Sequence, residues 1–181
     1  METLPFFPER IRTSRLLLRP PRPHDAVAIF QRYATDPEVT KYLVWQPHRS
    51  MDETRAFVDD AMRAWHRGIR FPWVITRNTD WAVLGMIEAR LSGAEVEFGY
   101  VLAREEWRKG YMTEALKALT DLAFHENTIQ RVYALTDLDN AASAALLKKA
   151  AFEQTTTLPR HTILPALGPD RRDMARFEKK R

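Results

Sequence analysis

The stretch WRKGYMTEA at 107–115 has the makings of an anion site. It follows a strand-like run, Val96 to Leu102, and opens a helix-like run, Thr113 to His125. At a helix N-terminus the unpaired N–H groups point outward, and the helix dipole adds positive potential. Gly110 lets the backbone come close to a bulky phosphate. Arg108 and Lys109 bring charge to the same place. The same residues also read as a plain strand-to-helix turn with two solvated cations, because short glycine motifs recur by chance. Farther along, Asn140 and Ser143 stand three apart in a helix-like run that ends at Lys149, so they share a face. They offer an amide and a hydroxyl to one side; equally, they serve as a helix cap and a small packing residue. The carboxylates Glu88 and Glu97 lie on strand-like runs. Alternation puts Glu95, Glu97, Gly99 and Val101 on one face, unless a bulge reverses the parity. His161 can titrate near neutrality, but it stands alone in a loop-like segment.

These residues need elements to hold them. Arg15 to Arg19 reads as a strand, ended by Pro20-Pro21-Arg22-Pro23. Asp25 to Ala34 reads as a helix, with Ala26, Ile29, Phe30 and Tyr33 on one face. Ser50 to His66 reads as a second helix. Ser50 and Glu53 have capping-box spacing, and Thr54, Phe57, Val58, Ala61, Met62 and Trp65 form its apolar stripe. Three strands follow, Phe71–Arg77, Val83–Leu91 and Glu95–Leu102, with turns marked by Asn78-Thr79-Asp80 and Ser92-Gly93. After the glycine loop and its helix come a strand over Arg131–Thr136, the helix from Asn140, and strands near 152–158 and 173–177. The order predicts a mixed α/β fold with a mostly antiparallel sheet covered by helices.

A length of 181 residues predicts one domain, 1–181, with a sizeable core. The absence of cysteine excludes disulfides, thiol nucleophiles and cysteine-ligated zinc. No apolar run approaches the roughly 18–20 residues of a membrane span. METLPFFPER lacks a basic start followed by a long apolar stretch, so no export signal is expected and a cytoplasmic location is. The net charge of +4 suits an acidic ligand, a nucleic acid or a ribosomal surface. The charge is scattered, however. Its dense spots are Arg171-Arg172 and the tail Lys179-Lys180-Arg181, which reads as solvated.

Two segments carry a resemblance. Trp107, Lys109, Gly110, Tyr111, Thr113, Glu114 and Ala115 match the pattern W-G-K-G-Y-x-T-E-A. Asp137, Asn140, Ser143, Leu146, Leu147, Lys149 and Phe152 match D-x-x-N-x-x-S-x-x-(V/L)-L-x-K-x-G-F. The opening RLLLRPPRPHDAVAIF at 15–30 and the pair Gly99-Tyr100 fit as well. Together they resemble the GNAT superfamily of acyl-CoA-dependent N-acetyltransferases, within it the ribosomal-protein N-terminal (Rim-type) branch, over roughly residues 12–160. The resemblance implies helices on both faces of the sheet and a splay between the strands that flank the loop helix. It implies acetyl-CoA as cosubstrate and no metal. Trp107 and the N–H groups from Arg108 through Lys109, Gly110, Tyr111 and Met112 to Thr113 would hold the pyrophosphate. Backbone at Tyr100 and Leu102 would pair with pantetheine like an added strand, and Asn140 would contact the same arm. Ser143 would protonate the leaving thiolate, and Glu97, or else Glu88, or water without a dedicated base, would take the proton of the amine. The acceptor would be a protein N-terminus or a small amine, and a homodimer fits the same picture.

Four positions depart from the pattern. Arg108 replaces a frequent glycine. Met112 stands where other members have glycine or alanine. Leu147 stands where other branches place a tyrosine. Ala151 replaces a glycine whose positive φ would cost alanine roughly 1–2 kcal/mol, which predicts a differently built turn. The basic, proline-containing segment 160–173 reads as an acceptor-site wall, a dimer contact or a hairpin loop. Two other functions compete with acetyl transfer: a non-catalytic acyl-CoA sensor on the same fold, and a basic ribosome- or nucleic-acid-binding module.

Overall fold

In a computed structural model the described residues are 6–68 and 70–181; Met1–Pro5, the start of the segment read for an export signal, lie outside them. The strands are β1 (Ile11–Arg12), β2 (Leu16–Arg19), β3 (Arg70–Arg77), β4 (Val83–Ser92), β5 (Glu95–Leu102), β6 (Arg131–Asp137), β7 (Glu153–Ile163) and β8 (Arg171–Lys180). The helices are α1 (Asp25–Ile29), α2 (Pro37–Thr40), α3 (Met51–Arg67), α4 (Tyr111–His125) and α5 (Ala141–Lys149). The strands form one sheet in the order β1-β2-β3-β4-β5-β6-β8-β7. Every neighbouring pair is antiparallel except β5 and β6, which α4 joins as a parallel crossover.

Apolar patterning explains the layers. β3 is buried on both faces from Phe71 to Thr76, as a central strand between two helix layers should be. On one face α4 presents Met112, Ala115, Leu116 and Leu119 to Trp73, Ile87, Val96, Phe98 and Val132, and Leu147 of α5 joins this core. On the other face Ala26, Ile29, Val58 and Ala61, from α1 and α3, pack with Val74, Val83 and Met86. Helices thus cover both faces, as the resemblance implies. Gly85 of β4 is needed for close approach, because a Cβ there would meet the Val101 carbonyl oxygen at 2.1 Å.

The parallel seam between β5 and β6 is short. It pairs Glu95 with Arg131, Val96 with Val132 and Glu97 with Tyr133, and then stops. Beyond it β5 stays with β4 as far as Leu102, while β6 stays with β8 as far as Asp137. The two arms therefore part into a wedge over Phe98–Leu102 and Ala134–Asp137.

Several expectations change. The first helix passes at Phe30 into a wider π-type turn, Phe30–Ala34. α2 and β1 were too short to show a period, although Asp36 caps α2 by accepting the Glu38 N–H at 2.9 Å. The predicted box at α3 is half built. Ser50 Oγ accepts the Glu53 N–H at 3.3 Å, but the Glu53 carboxylate turns to the Arg49 N–H at 2.8 Å. Segment 160–173 is strand at both its ends, since β7 and β8 extend into it and leave 164–170 as the connection. The turn at Ala151 is not built differently. Ala151 takes φ +64°, its N–H bonds the Lys148 carbonyl at 2.9 Å and the Phe152 N–H bonds the Leu147 carbonyl at 3.0 Å. This is a Schellman turn with alanine in the glycine place.

Candidate active site

The loop between β5 and α4 forms one end of the wedge. Gly110 caps α4 with φ +82°, and Arg108 takes φ +62°. Alternating the backbone in this way turns successive N–H groups to one side. Trp107 N–H bonds the Arg104 carbonyl at 3.2 Å, and Glu114 N–H bonds the Gly110 carbonyl at 3.1 Å. Between them, the N–H groups from Arg108 to Thr113 find no backbone acceptor among the described residues. They are donors at the positive end of a 15-residue helix. That arrangement fits a pyrophosphate.

Side chains shape the loop in ways its local sequence does not announce. Trp107 is 40% exposed, and its Nε1 donates to the Leu102 carbonyl at 2.8 Å. The Leu102 oxygen is thereby engaged. The Lys109 Nζ lies 3.0 Å from Glu106 Oε2 rather than over the loop. Arg108 is exposed and has no ion-pair partner among the described residues. Tyr111 lies under the Arg15 guanidinium, 4.6 Å from its ring centre. Met112 is buried in the core, and Thr113 is nearly so.

Two carboxylates brace the loop, and sequence reasoning missed the role of both. Glu106 has only 3% of its side chain exposed and meets three cations: Arg32 at 2.8 Å, Arg77 at 3.0 Å and Lys109. Arg32 comes from the π-type turn. Glu114 accepts from Thr13 Oγ1 at 2.6 Å, Ser14 Oγ at 3.0 Å, Arg15 N–H at 2.9 Å and Arg15 Nε at 2.7 Å. Arg15 also donates to the Lys109 carbonyl at 3.0 Å. Partial burial works upward on the Glu114 pKa, but these hydrogen bonds outweigh it and hold the group below its ordinary value.

The other end of the wedge is the start of α5. Asn140 caps it by accepting the Ser143 N–H at 3.1 Å. The Ser143 hydroxyl lies 2.7 Å from the Tyr100 hydroxyl. Leu147, one turn on, is fully buried. Before the helix, Asp137 takes a bidentate bond from Arg172 at 2.8 and 2.9 Å. Arg172, and then the Asp139 N–H, hold its carboxyl below the usual range despite burial. Tyr42, from the loop after α2, donates to the Asp139 carbonyl at 3.3 Å.

The carboxylates proposed for proton removal stand elsewhere. The β4–β5 register runs unbroken from Gly85–Leu102 to Ser92–Glu95, so no bulge reverses the parity. Glu97 therefore faces away from Tyr100 and Ser143, on the opposite side of the sheet. It lies in the seam, 3.4 Å from Arg90 and 3.4 Å from the Tyr133 hydroxyl. Glu88 shares that face opposite Gly99, with Arg90 at 2.5 Å and Arg70 at 3.3 Å. His161 is exposed on β7, beyond β8 from the wedge, and pairs with Thr162 Oγ1 at 2.8 Å. Among the described residues no group of three or more His, Asp or Glu could hold a metal ion, and no helix is long and apolar enough to cross a membrane.

A family model described as an acetyltransferase (GNAT) domain matches residues 15–153, which include both ends of this wedge. The chain belongs to the GNAT acetyltransferase family. One relative, the uncharacterised N-acetyltransferase p20 of Bacillus licheniformis, is 31% identical over 152 residues, covering 81% of this chain and 83% of that protein. Among solved structures, the microcin self-immunity acetyltransferase MccE in complex with acetyl-CoA and AMP superposes with a TM-score of 0.86 at 17% identity, covering 98% of this chain and 99% of that one. RimL, a ribosomal alpha-N-protein acetyltransferase, superposes with a TM-score of 0.84 at 21% identity, covering 96% and 94%. At those identities the two structures bear on the fold alone, and that fold is the GNAT fold expected from the sequence.

Proposed function

We propose that this GNAT acetyltransferase moves the acetyl group of acetyl-CoA to a primary amine by direct attack within a ternary complex. The observation that carries the reading is the fan of N–H groups from Arg108 to Thr113, without a backbone acceptor among the described residues, set beside a wedge in which β5 and β6 no longer pair. The pyrophosphate would sit on that fan, and pantetheine would enter between β5 and β6. Holding both reactants there makes attack effectively unimolecular. Ser143 would meet the thioester sulfur. Glu97 or Glu88 would act from the opposite face, with the amine approaching from that side.

The acceptor is a peptide N-terminus or a small amine. A cytoplasmic location and a homodimer belong to the same proposal; sedimentation velocity tests the latter. A basic nucleic-acid module is the weaker reading, because Arg15, Arg19, Arg32, Arg70, Arg77, Arg90, Arg172 and Arg176 all sit in ion pairs. Their charge is spent within the fold.

The test is a calorimetric titration with acetyl-CoA, followed by thiol release with a panel of peptides and amines. Saturable one-to-one binding with acceptor-dependent thiol release is expected. Binding without turnover across the panel would favour the sensor; no binding by the folded protein would remove the reading.

A further inference from the structure

We propose that Tyr100 is the positioning residue for Ser143, its phenol fixing the serine hydroxyl so that the serine hydrogen faces the sulfur of the departing thiolate. This rests on the acetyl-transfer reading. The two hydroxyls are 43 positions apart and come from opposite arms of the wedge, Tyr100 from β5 beyond the seam and Ser143 from the first turn of α5. Their 2.7 Å contact is the one side-chain hydrogen bond that Tyr100 makes among the described residues.

A serine hydroxyl can donate once and accept twice. If Tyr100 donates to Ser143, the single serine hydrogen is left for another acceptor. The Tyr100 hydrogen is there to be donated, since burial pushes the Tyr100 pKa up to about 12 against the lowering effect of Ser143. The phenol therefore stays a neutral donor through the working pH range. The Ser143 N–H is already committed to Asn140 at 3.1 Å, which fixes the serine backbone. The aliphatic Leu147 offers no second hydroxyl from this helix.

The reaction balances without consuming the relay. The amine nitrogen bonds to the acyl carbon, and the C–S bond breaks with its electron pair going to sulfur. The proton shed by nitrogen goes to Glu97 or Glu88, or to water, and from there to sulfur or to solvent. Both hydroxyls finish with the hydrogens they began with. Their part is to donate toward sulfur as charge builds there, each bond strengthening the next.

The test uses Tyr100→Phe, Ser143→Ala and the double variant, each with acetyl-CoA affinity by calorimetry and steady-state turnover. It then repeats turnover with the acetyl selenoester of CoA, whose selenolate leaves with less need of a donor. Expected for Tyr100→Phe is a fall in kcat of about 10- to 100-fold, with acetyl-CoA affinity within about threefold of the parent. The double variant should be no slower than Ser143→Ala, because coupled groups are not additive. The selenoester should restore most of the lost rate. Full turnover in Tyr100→Phe, additive losses, or an equal deficit with the selenoester would overturn the proposal. Loss of acetyl-CoA binding in Tyr100→Phe would do the same, by making the residue structural. A parent protein that binds acetyl-CoA but acetylates nothing fails at the transfer reading itself, and this proposal falls with it.

Discussion

The two ends of the wedge are built to different standards. The α4 end is braced from behind: Glu106 gathers three cations in the interior, and Glu114 ties the first helical turn to Thr13, Ser14 and Arg15. The α5 end is held by its own cap at Asn140, by the Asp137–Arg172 pair and by one hydroxyl contact with Tyr100. The contrast matches two tasks. A multiply charged phosphate group is best met by donors already fixed in place, which need no reorganisation on binding. A reacting sulfur calls for a few groups that can be tuned singly.

The largest effect is expected at Glu106. Glu106→Ala leaves Arg32 and Arg77 without their buried partner and should lower stability by about 3–5 kcal/mol, seen as a large drop in the chemical-denaturation midpoint. A change within about 0.5 kcal/mol would mean that the loop is not braced from behind. Gly110→Trp comes next. It forces a bulky side chain to φ +82° at the mouth of the N–H fan, and acetyl-CoA affinity should fall at least ~100-fold, about 2.7 kcal/mol, while circular dichroism stays that of a folded protein. Unchanged affinity would place the pyrophosphate elsewhere.

A smaller pair of effects comes from two non-glycine residues in a glycine-favouring conformation, Arg108 in the loop before α4 and Ala151 just past the far end of α5. Arg108→Gly and Ala151→Gly each remove roughly 1–2 kcal/mol of backbone strain and give back about half of it in unfolded-state entropy. Thermal unfolding should show each variant more stable by about 0.5–1 kcal/mol. If Arg108 supports a phosphate, its variant alone should also bind acetyl-CoA more weakly.

The smallest effect is in pH. Glu114 at one end and Asp137 at the other have folded pKa values depressed below their unfolded ones. The stability they contribute is present above the ordinary carboxylate range and is lost as pH falls through the folded values. Stability measured from pH 6 downward should fall less steeply in Glu114→Gln and in Asp137→Asn than in the parent. An identical slope in either variant would remove that carboxylate from the account.

How much of this could be read from the chain depended on distance along it. The glycine turn into α4, the Asn140 cap and the three-strand meander are local, and residue type with period sufficed to place them. α2 and β1 escaped because a period cannot show in four or two residues. Nothing local marks Glu106, since its partners Arg32 and Arg77 lie 74 and 29 positions away. The Arg15–Glu114 brace spans 99 positions and was invisible for the same reason. Alternation gave the side of Glu97 correctly; what it could not give was the unbroken β4–β5 register that makes the parity hold. Ala151 shows the opposite case, in which side-chain preference argued for a new turn and the surrounding helix end kept the old one.

The short seam between β5 and β6 has a mechanical consequence. It makes the sheet a pair of tongs: one jaw is the antiparallel run β1–β5, the other is β6, β8 and β7, and the pivot is three residue pairs wide. Glu95 clamps that pivot through Arg131 and Arg176, and Glu97 through the Tyr133 hydroxyl. A pivot so narrow puts the whole setting of the gap on three residue pairs and their fastenings at Glu95 and Glu97.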